Sequence, residues 1–285
     1  MWTTAYVGCQ LANLARQSRA ADWLAEHELS GGGWGYDESV GCDADSSAYA
    51  VILLRRSGIT VDDRSRRRLA SFQQSDGGFS TYGRNDGLGS WSVSHPDVTP
   101  VAGYALLLVC GRAARAVARA VEFVMRHRNG DGLWDSFWWS TPLYATRASL
   151  AFLAAAGVPS IDLAATCTSL LQLEAQSAFE RALLLDCLRL VGGGTSDGHD
   201  ELLAALLTEQ LPDGSWPSAP SLRIPDRTCR APWDEPGTEL LYADSDRLFT
   251  SATVVGALGQ AAPPSRRLLR GRLLPRSSAS SSPPR

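Results

Sequence analysis

The sequence contains no lysine, so all 27 of its basic residues are arginines, and with 30 acidic residues its formal net charge is −3. No basic block stands alone in the body of the chain, which excludes an electrostatic nucleic-acid surface. No apolar run approaches the roughly 18 residues that cross a bilayer. The six cysteines form no Cys-x-x-Cys pair and there are only four histidines. This argues against a disulfide framework or a zinc module and predicts a reducing, cytoplasmic setting.

A helix followed by a Gly-aromatic turn recurs along the chain. Copies end at Trp34, Phe79, Trp134 and Trp216, and a further copy near LLQLEAQ has lost its turn. Between them lie six uniformly apolar stretches: WTTAYVGCQLANL, DSSAYAVILL, DVTPVAGYALLLV, TPLYATRASLAFLAAAG, AFERALLLDCLRLVG and LFTSATVVGAL. Helices that are apolar all round belong inside a structure and amphipathic ones outside. The pattern therefore predicts an all-α protein with almost no strands, a closed (α/α)6 barrel of about twelve helices.

Length and composition indicate a single domain. The chain has 285 residues, of which 44% are hydrophobic, and this is enough for one large core. We predict that the barrel occupies residues 1–260. Residues 261–285 are predicted to hold the last outer helix, PSRRLLRGRLL, followed by a disordered tail rich in serine and proline.

Two carboxylates one residue apart, Asp43 and Asp45, precede a buried helix in GCDADSSAYA. One interpretation is capping, because Asp and Ser are common helix N-caps. The other is a proton donor in an apolar cavity: burial raises a carboxyl pKa, while a helix N-terminus and nearby donors stabilise the anion that is left. The inner helices of a closed ring run the same way, so Asp97 and Ser140–Thr141, which precede other inner helices, are predicted at the same end. This predicted convergence at one end of the ring favours the interpretation of a proton donor in an apolar cavity over simple helix capping.

These features resemble the catalytic α-barrel domain of the class II terpene cyclases, typified by squalene-hopene cyclase. The turns resemble that family's Gln-Trp repeats, FQQSDGGFSTY most clearly, and GGGWGYDESVGCDADSSA resembles the segment that ends in its Asp-x-Asp-Asp motif. SHPDVTPVAGYALL and DGLWDSFWWSTPLYAT resemble its following segments, so the likeness extends to about Leu258. It implies a bacterial, protonation-initiated cyclase of natural product biosynthesis, acting on a linear isoprenoid or prenylated precursor. It implies no cofactor, with Mg²⁺ only beside a diphosphate substrate.

The resemblance also implies roles for individual residues. Asp45 matches the acid that protonates a terminal alkene, and Asp43 matches the carboxyl beside it. The residues that match positions around the substrate and its cation are Tyr82 and Trp138, less tightly Trp34, Trp2 and Tyr144, and the acidic Asp97. Aromatic faces attract a cation and offer no lone pair that would trap it. The remaining repeat tryptophans are predicted to fill seams between repeats: Trp23, Trp134 and Trp216.

The sequence departs from the family in three ways. Ser46 stands where hopene cyclases have a further Asp, as in the Asp-x-Asp-Thr-Thr variant of some bacterial drimane-type cyclases. Val101 stands where they have a His, and His95 lies nearby in sequence. The family's second barrel, which closes the pocket, is absent. Closure by a homodimer, by a separate partner domain or by peripheral membrane contact stays open, and a substrate shorter than squalene is expected.

Other functions fit parts of the sequence. A protein prenyltransferase β subunit has a similar double ring but needs Asp, Cys and His on zinc, and DGLWDSFWW has no Cys. A glycosidase would place two carboxylates, here Asp45 and Asp97, in a polar groove. A non-catalytic scaffold, or half of a two-chain cyclase, would show a shallow exposed groove. Four arginines either clamp a substrate diphosphate or, as we favour, lie solvated at the surface: Arg223, Arg227, Arg230 and Arg247.

Overall fold

The computed structural model describes residues 1–11, 19–84, 87–158, 163–192, 196–237 and 239–261 of the chain. Within these residues an inner set of helices alternates with an outer set. The inner helices are α1 (Trp2–Leu11), α3 (Ala44–Arg56), α5 (Val98–Cys110), α7 (Pro142–Ala156), α9 (Ala178–Val191) and α11 (Leu248–Ala261). The outer helices are α2 (Arg19–Glu26), α4 (Asp63–Ala70), α6 (Arg115–Arg126), α8 (Ala164–Gln172) and α10 (Ser196–Thr208).

The inner helices form a closed ring. Each packs on the next one along the chain, and α11 packs on α1. The outer helices bridge neighbours from outside: α2 contacts α1 and α3, α4 contacts α3 and α5, and α6 contacts α5 and α7. The predicted barrel is thereby confirmed for the eleven helices of the described residues. The predicted twelfth helix and the serine- and proline-rich tail lie outside those residues.

The apolar sequences of the inner helices explain their position. In α3, every residue from Ala48 to Leu54 is buried, so no side of the helix meets solvent. In α6, burial is restricted to a stripe at helical spacing, Val117, Ala120, Phe123 and Val124. A helix with one apolar stripe covers the ring from outside, and a helix apolar on every side forms it.

The tryptophans of the repeated turn attach the outer helices to the ring. Three indole N–H groups donate to a carbonyl ten residues earlier: Trp34 to Leu24 (2.7 Å), Trp134 to Val124 (2.7 Å) and Trp216 to Leu206 (2.6 Å). Each acceptor lies in the last turn of an outer helix, where carbonyls lack helical partners. The turn also requires glycine: at Gly77, whose φ is +95°, a Cβ would lie 2.5 Å from the Arg119 carbonyl oxygen.

A two-stranded antiparallel sheet follows α10, and the sequence interpretation missed it. Strand β1 (Pro220–Pro225) pairs with β2 (Glu239–Ala243). The first strand is attached to the loop before α7, because the Arg223 N–H donates to the Trp138 carbonyl oxygen (2.8 Å) and Leu222 forms a bridge with Trp139. The sheet therefore lies at the end of the ring where the inner helices begin.

Candidate active site

A cavity of about 570 Å³ lies at the end of the ring where the inner helices begin. Small-molecule sites have volumes of roughly 300–1,000 Å³. The walls come from the first turns of α1 and α3, from the loops before α3, α5 and α7, and from the sheet. The lining is mostly aromatic and aliphatic: Trp2, Tyr36, Val40, Asp43, Asp45, Ser46, Thr81, Tyr82, Trp91, Trp138, Trp139, Leu222, Arg223, Ile224, Tyr242 and Ala243.

The two predicted acids at the start of α3 do different things. Asp43 is the N-cap, and its Oδ1 accepts a hydrogen bond from the Ser46 N–H (2.7 Å). Asp45, inside the first turn, accepts the indole N–H of Trp2 on Oδ2 (2.5 Å), while its Oδ1 is buried without a partner. Capping therefore accounts for Oδ1 of Asp43, whose Oδ2 is buried without a partner, and it accounts for neither oxygen of Asp45.

Burial raises the pKa of both carboxyls. It raises the pKa of Asp43 to about 6, although the backbone N–H groups of Ser46 and Asp45 favour the anion. Asp45 borders the cavity but is otherwise surrounded by protein, and its pKa is raised well above the ordinary value, first by burial and then by the neighbouring carboxyls of Asp43 and Asp97. No arginine of the described residues forms an ion pair with either acid. Burial and the neighbouring carboxyls therefore both favour the protonated form of Asp45.

Asp97 supports the cavity wall from behind. Its Oδ2 accepts the backbone N–H groups of Phe137 (2.9 Å) and Trp138 (2.7 Å), so it holds the loop before α7 and does not cap α5. The side chain is 1% exposed and does not line the cavity. Burial raises the pKa of Asp97 to about 6 despite these donors. Asp97 thus acts on the site through the position of Trp138 and through its charge near Asp45.

The structure separates the five aromatic residues that were predicted to surround the substrate. Three of them line the cavity: Trp2, Tyr82 and Trp138. Trp34 does not, because it is 1% exposed and occupies the seam position that was predicted for Trp134 and Trp216. Tyr144 lies beneath Trp139, with ring centroids 4.2 Å apart, and its hydroxyl is 2.6 Å from that of Tyr49. Trp34 and Tyr144 therefore shape the wall without forming its surface.

Two further tryptophans complete the aromatic lining. Trp139 follows Trp138 directly in the sequence, and that adjacency was a usable signal. Trp91 was missed, because it lies in a short 3-10 helix (Gly89–Ser92) outside the repeated turns. Its ring meets the Trp138 ring edge-on, with centroids 5.2 Å apart. Its indole N–H donates to the Pro225 carbonyl oxygen (3.0 Å). Trp91 therefore joins the ring wall to the sheet.

A chain of hydrogen bonds fixes the Trp138 side chain. Its indole N–H donates to the Thr81 hydroxyl oxygen (2.7 Å), and that hydroxyl lies 3.0 Å from His95 Nδ1. His95 Nε2 lies 2.9 Å from the Ser90 carbonyl oxygen, which can only accept, so Nε2 carries the ring proton and Nδ1 accepts from Thr81. Burial lowers the pKa of His95 to about 4, which keeps the ring neutral. His95 therefore bonds to Thr81, while Val101 lies buried in the core.

The four arginines of the C-terminal third separate as well. Arg227 and Arg230 are exposed, and Arg247 pairs with Asp213 (2.8 Å), as the surface interpretation predicts. That interpretation is wrong for Arg223, which is 7% exposed and lines the cavity. The reason is the sheet, which carries Arg223 on β1 inward against the loop before α7.

The described residues also bear on disulfides, metal ligands and membrane-spanning helices. None of the six cysteines takes part in a disulfide. Across the part of the chain that the structure describes, no three His, Cys, Asp or Glu side chains cluster as metal ligands. None of the helices in the described ranges has the length and apolarity that crossing a membrane requires.

Solved structures share this architecture. A variant of the type II terpene cyclase MstE from Scytonema, in complex with merosterolic acid A (product), matches with a TM-score of 0.78 at 27% identity, over 92% of this chain and 87% of that one. A second variant, with geranylgeranyl dihydroxybenzoate (substrate), matches with a TM-score of 0.77 at 26% identity and the same coverage. This chain is a structural relative of the type II terpene cyclases. The predicted resemblance to class II terpene cyclases is thereby confirmed.

More distant and partial matches agree with the terpene cyclase fold. The ent-copalyl diphosphate synthase of Streptomyces platensis shares the fold with a TM-score of 0.67 at 20% identity, over 90% of this chain and 49% of that one. No family model matches the sequence. The drimenyl diphosphate synthase of Streptomyces showdoensis is 31% identical over 150 residues, which is 48% of this chain. The match spans about a quarter of that curated relative, 26% of its length.

Proposed function

We propose that this chain is a class II terpene cyclase, in which Asp45 protonates an alkene of a linear isoprenoid or prenylated natural-product precursor and the cavity guides the resulting cation into rings. One observation carries the proposal. Asp45 is a carboxyl in the wall of an aromatic-lined cavity, with its Oδ1 unpartnered and its pKa raised well above the ordinary value. An acid that keeps its proton in apolar surroundings is what protonation of a carbon–carbon double bond requires.

The two oxygens of Asp45 divide the work of proton transfer. Because Oδ2 accepts the Trp2 indole N–H, the proton resides on Oδ1. The π electrons of the alkene take this proton as a new C–H bond, which leaves a carbocation on the substrate and a carboxylate on Asp45. The Trp2 N–H and the N-terminal end of α3 stabilise that carboxylate. The next double bond of the substrate then attacks the cation and closes a ring. The cation left after the last ring closure is neutralised by loss of a proton or addition of water, and a proton from solvent restores Asp45.

Asp43 and the aromatic wall support this step. Asp43 ionises before Asp45, and its charge raises the pKa of Asp45, so the proton stays on Asp45. The faces of Tyr82 and Trp138 then meet the cation. Each desolvated aromatic face attracts a cation by roughly 0.5–2 kcal/mol. Thr81, which lines the cavity, holds the Trp138 side chain together with His95, and Asp97 holds the Trp138 backbone; neither His95 nor Asp97 lines the cavity.

The walls favour a cyclase over the other functions. A glycosidase needs two carboxylates in a polar groove, but Asp97 is turned away from the cavity and bonded to the loop before α7. A half-enzyme would lack a wall, whereas the sheet supplies one from the same chain through Leu222, Ile224 and Tyr242. We therefore place closure on the sheet and not on a second copy, a partner domain or a membrane. Size-exclusion chromatography of active protein at monomer size would support this placement.

The substrate is proposed to be shorter than squalene. The cavity of about 570 Å³ and the relatives named for drimenyl diphosphate and geranylgeranyl dihydroxybenzoate support this class. Because a carboxylic acid supplies the proton, the ring-forming step is proposed to need no metal, with Mg²⁺ only beside a diphosphate. The absence of disulfides supports a reducing, cytoplasmic location. Turnover that survives EDTA would support metal independence, at least for an alcohol substrate.

The experiment that tests the function is a substrate panel. Purified protein is incubated with geranyl, farnesyl and geranylgeranyl diphosphates, their alcohols and squalene, and products are analysed by mass spectrometry. We expect cyclic products from at least one substrate. In Asp45→Asn, turnover should fall by at least about 10²–10⁴-fold, the usual contribution of a general acid. The control is Asp63→Asn, an exposed aspartate of α4, which should leave turnover unchanged. Full turnover in folded Asp45→Asn would refute the proposed function.

A further inference from the structure

Arg223 is a buried cation that faces the cavity from the sheet. It lies on β1 opposite Leu241, and its side chain is 7% exposed. Its backbone N–H donates to the Trp138 carbonyl oxygen (2.8 Å), so the strand cannot move Arg223 away without releasing the wall. Leu222 and Ile224 on either side also line the cavity. The guanidinium is thus fixed in an apolar stretch of wall.

The hydrogen bonds of Arg223 are incomplete. One Nη1–H donates to the Ser136 carbonyl oxygen (3.1 Å), whereas Nε is buried and has no partner. A guanidinium carries five N–H donors in a fixed fork. Within the described residues no carboxylate forms an ion pair with it. Burial lowers the pKa of Arg223, although the charges of Glu239 and Asp97 act to raise it.

Some buried or half-buried arginines have a carboxylate partner. Arg147 and Arg189 share the buried Asp186, at 3.3 Å each. Arg181 pairs with Glu209 at 2.8 Å. A buried charge without a counter-ion is unfavourable, and an anion that brings hydrogen-bond acceptors restores the balance. Arg223 therefore has the donors and the charge to bind an anion that enters through the cavity.

We infer that Arg223 binds the anionic head group of the substrate, a phosphate or carboxylate oxygen pair, while the hydrocarbon extends along the aromatic wall to Asp45. The inference rests on the proposed function and names the substrate class more closely: an isoprenoid with an oxyanion at one end, in preference to a neutral hydrocarbon or alcohol. The two ends of the cavity thus have separate tasks. Arg223, on the sheet, fixes the head group, and Asp45, on α3, protonates the far end.

The test is binding by a protein that does not turn over. In the Asp45→Asn background, calorimetric titration with farnesyl diphosphate, farnesoic acid and farnesol compares three C15 chains that differ in head group. Before Arg223 is changed, we expect at least one anion to bind about ten-fold more tightly than the alcohol, because hydrogen bonds to charged groups are the strong ones. The anion that binds more tightly than farnesol identifies the head group as a phosphate or a carboxylate. Equal affinity for all three probes would overturn the inference and leave the proposed cyclase intact.

Variants locate the effect. Arg223→Gln should weaken the binding of the anionic probe by about ten-fold or more, since the lost interaction is a charged hydrogen bond. The affinity for farnesol should stay unchanged. Arg223→Lys keeps the charge without the fork and should recover part of the affinity. Arg230→Gln removes the same charge from an exposed position of the same segment and should change nothing. Equal weakening by Arg230→Gln, or loss of farnesol together with the anions, would contradict a site at Arg223. If none of the probes binds the folded protein, the proposed function falls together with the inference.

Discussion

The two ends of the helical ring are built from the same inner helices but differ in how their charges are balanced. Where the helices begin, a cavity of about 570 Å³ holds Asp43 and Asp45 without a paired arginine. Toward the other end, a cavity of about 190 Å³ contains Arg56 and Arg147, and Arg147 pairs with Asp186. Tyr49, which lines this second cavity, has its hydroxyl 2.6 Å from that of the buried Tyr144.

The difference shows what an unbalanced charge does in a buried site. A helix N-terminus favours an anion, which by itself would lower a carboxyl pKa. At Asp43 and Asp45 burial outweighs this effect, and the pKa values are raised. At the opposite end the buried Asp186 has two arginine partners, so its charge contributes to stability. Under the proposed function, the first end serves chemistry and the second serves the fold.

The largest expected effect comes from removing the charge of Asp186, the carboxylate that two arginines share. Asp186→Asn leaves Arg147 and Arg189 without their shared carboxylate, so the free energy of unfolding should fall by about 3–5 kcal/mol, as when a buried pair loses one partner. Urea denaturation measures this change. Turnover per folded molecule should stay unchanged.

A matched control is Glu209→Gln, which removes the half-buried partner of Arg181 and should cost less than about 1 kcal/mol. A stable Asp186→Asn variant with no turnover would show that the second end takes part in chemistry.

The next largest effect is the pH dependence of stability that Asp97 causes near the larger cavity. The folded state raises the pKa of Asp97 from 3.8 to about 6, so between these values the folded protein binds more protons than the unfolded chain and this carboxyl lowers stability as pH rises. Asp97→Asn should therefore gain stability relative to the unsubstituted protein from pH 4 to 6, by up to about 3 kcal/mol, and the gain should level off above that.

The difference between the two proteins is the quantity to measure, by denaturation across this pH range. His95 acts in the opposite direction there, because its pKa is lowered to about 4 and its contribution to stability rises with pH. A stability difference that is constant from pH 4 to 6 would mean that Asp97 titrates normally.

The smallest expected effect distinguishes two tryptophans, Trp138 in the cavity wall and Trp34 in the seam between repeats. Trp138→Phe weakens the cation-facing surface and should lower turnover several-fold and change the product ratio, because the two rings differ by less than about 1 kcal/mol in cation attraction. Trp34→Phe removes the indole donor to Leu24 and should cost about 1 kcal/mol of stability without changing the products. Product profiles and melting curves of the two variants check that Trp138→Phe changes the products and that Trp34→Phe changes the stability. Altered products from Trp34→Phe would place it in the site.

The sequence predicts the ring well because its determinants are local. Whether a helix such as α3 or α6 packs inside or outside follows from its own apolar pattern, and the acids stand in a short motif beside their helix. The distinction between Trp34 and Trp138 is not local. It depends on which ring reaches the carbonyl of Leu24 and which reaches the hydroxyl of Thr81.

The sheet and Arg223 were beyond sequence interpretation for a similar reason. Strands β1 and β2 are short, proline marks both ends of β1, and Arg223 is buried by the loop that carries Trp138, 85 residues earlier in the chain. Only the three-dimensional attachment of the sheet shows that a polar residue of this segment lines the cavity. The exposed Arg230 has a similar local setting and the opposite environment.

The central claim is that a solvent-exchangeable proton of Asp45 becomes part of the product. Turnover in deuterium oxide tests it most directly, because the carboxyl proton exchanges with solvent and the C–H bond formed from it does not. Mass spectrometry of the cyclic product should show one added deuterium, on the less substituted carbon of the former terminal double bond, and Asp45→Asn should give neither product nor label. A cyclic product formed in deuterium oxide without deuterium would contradict the account.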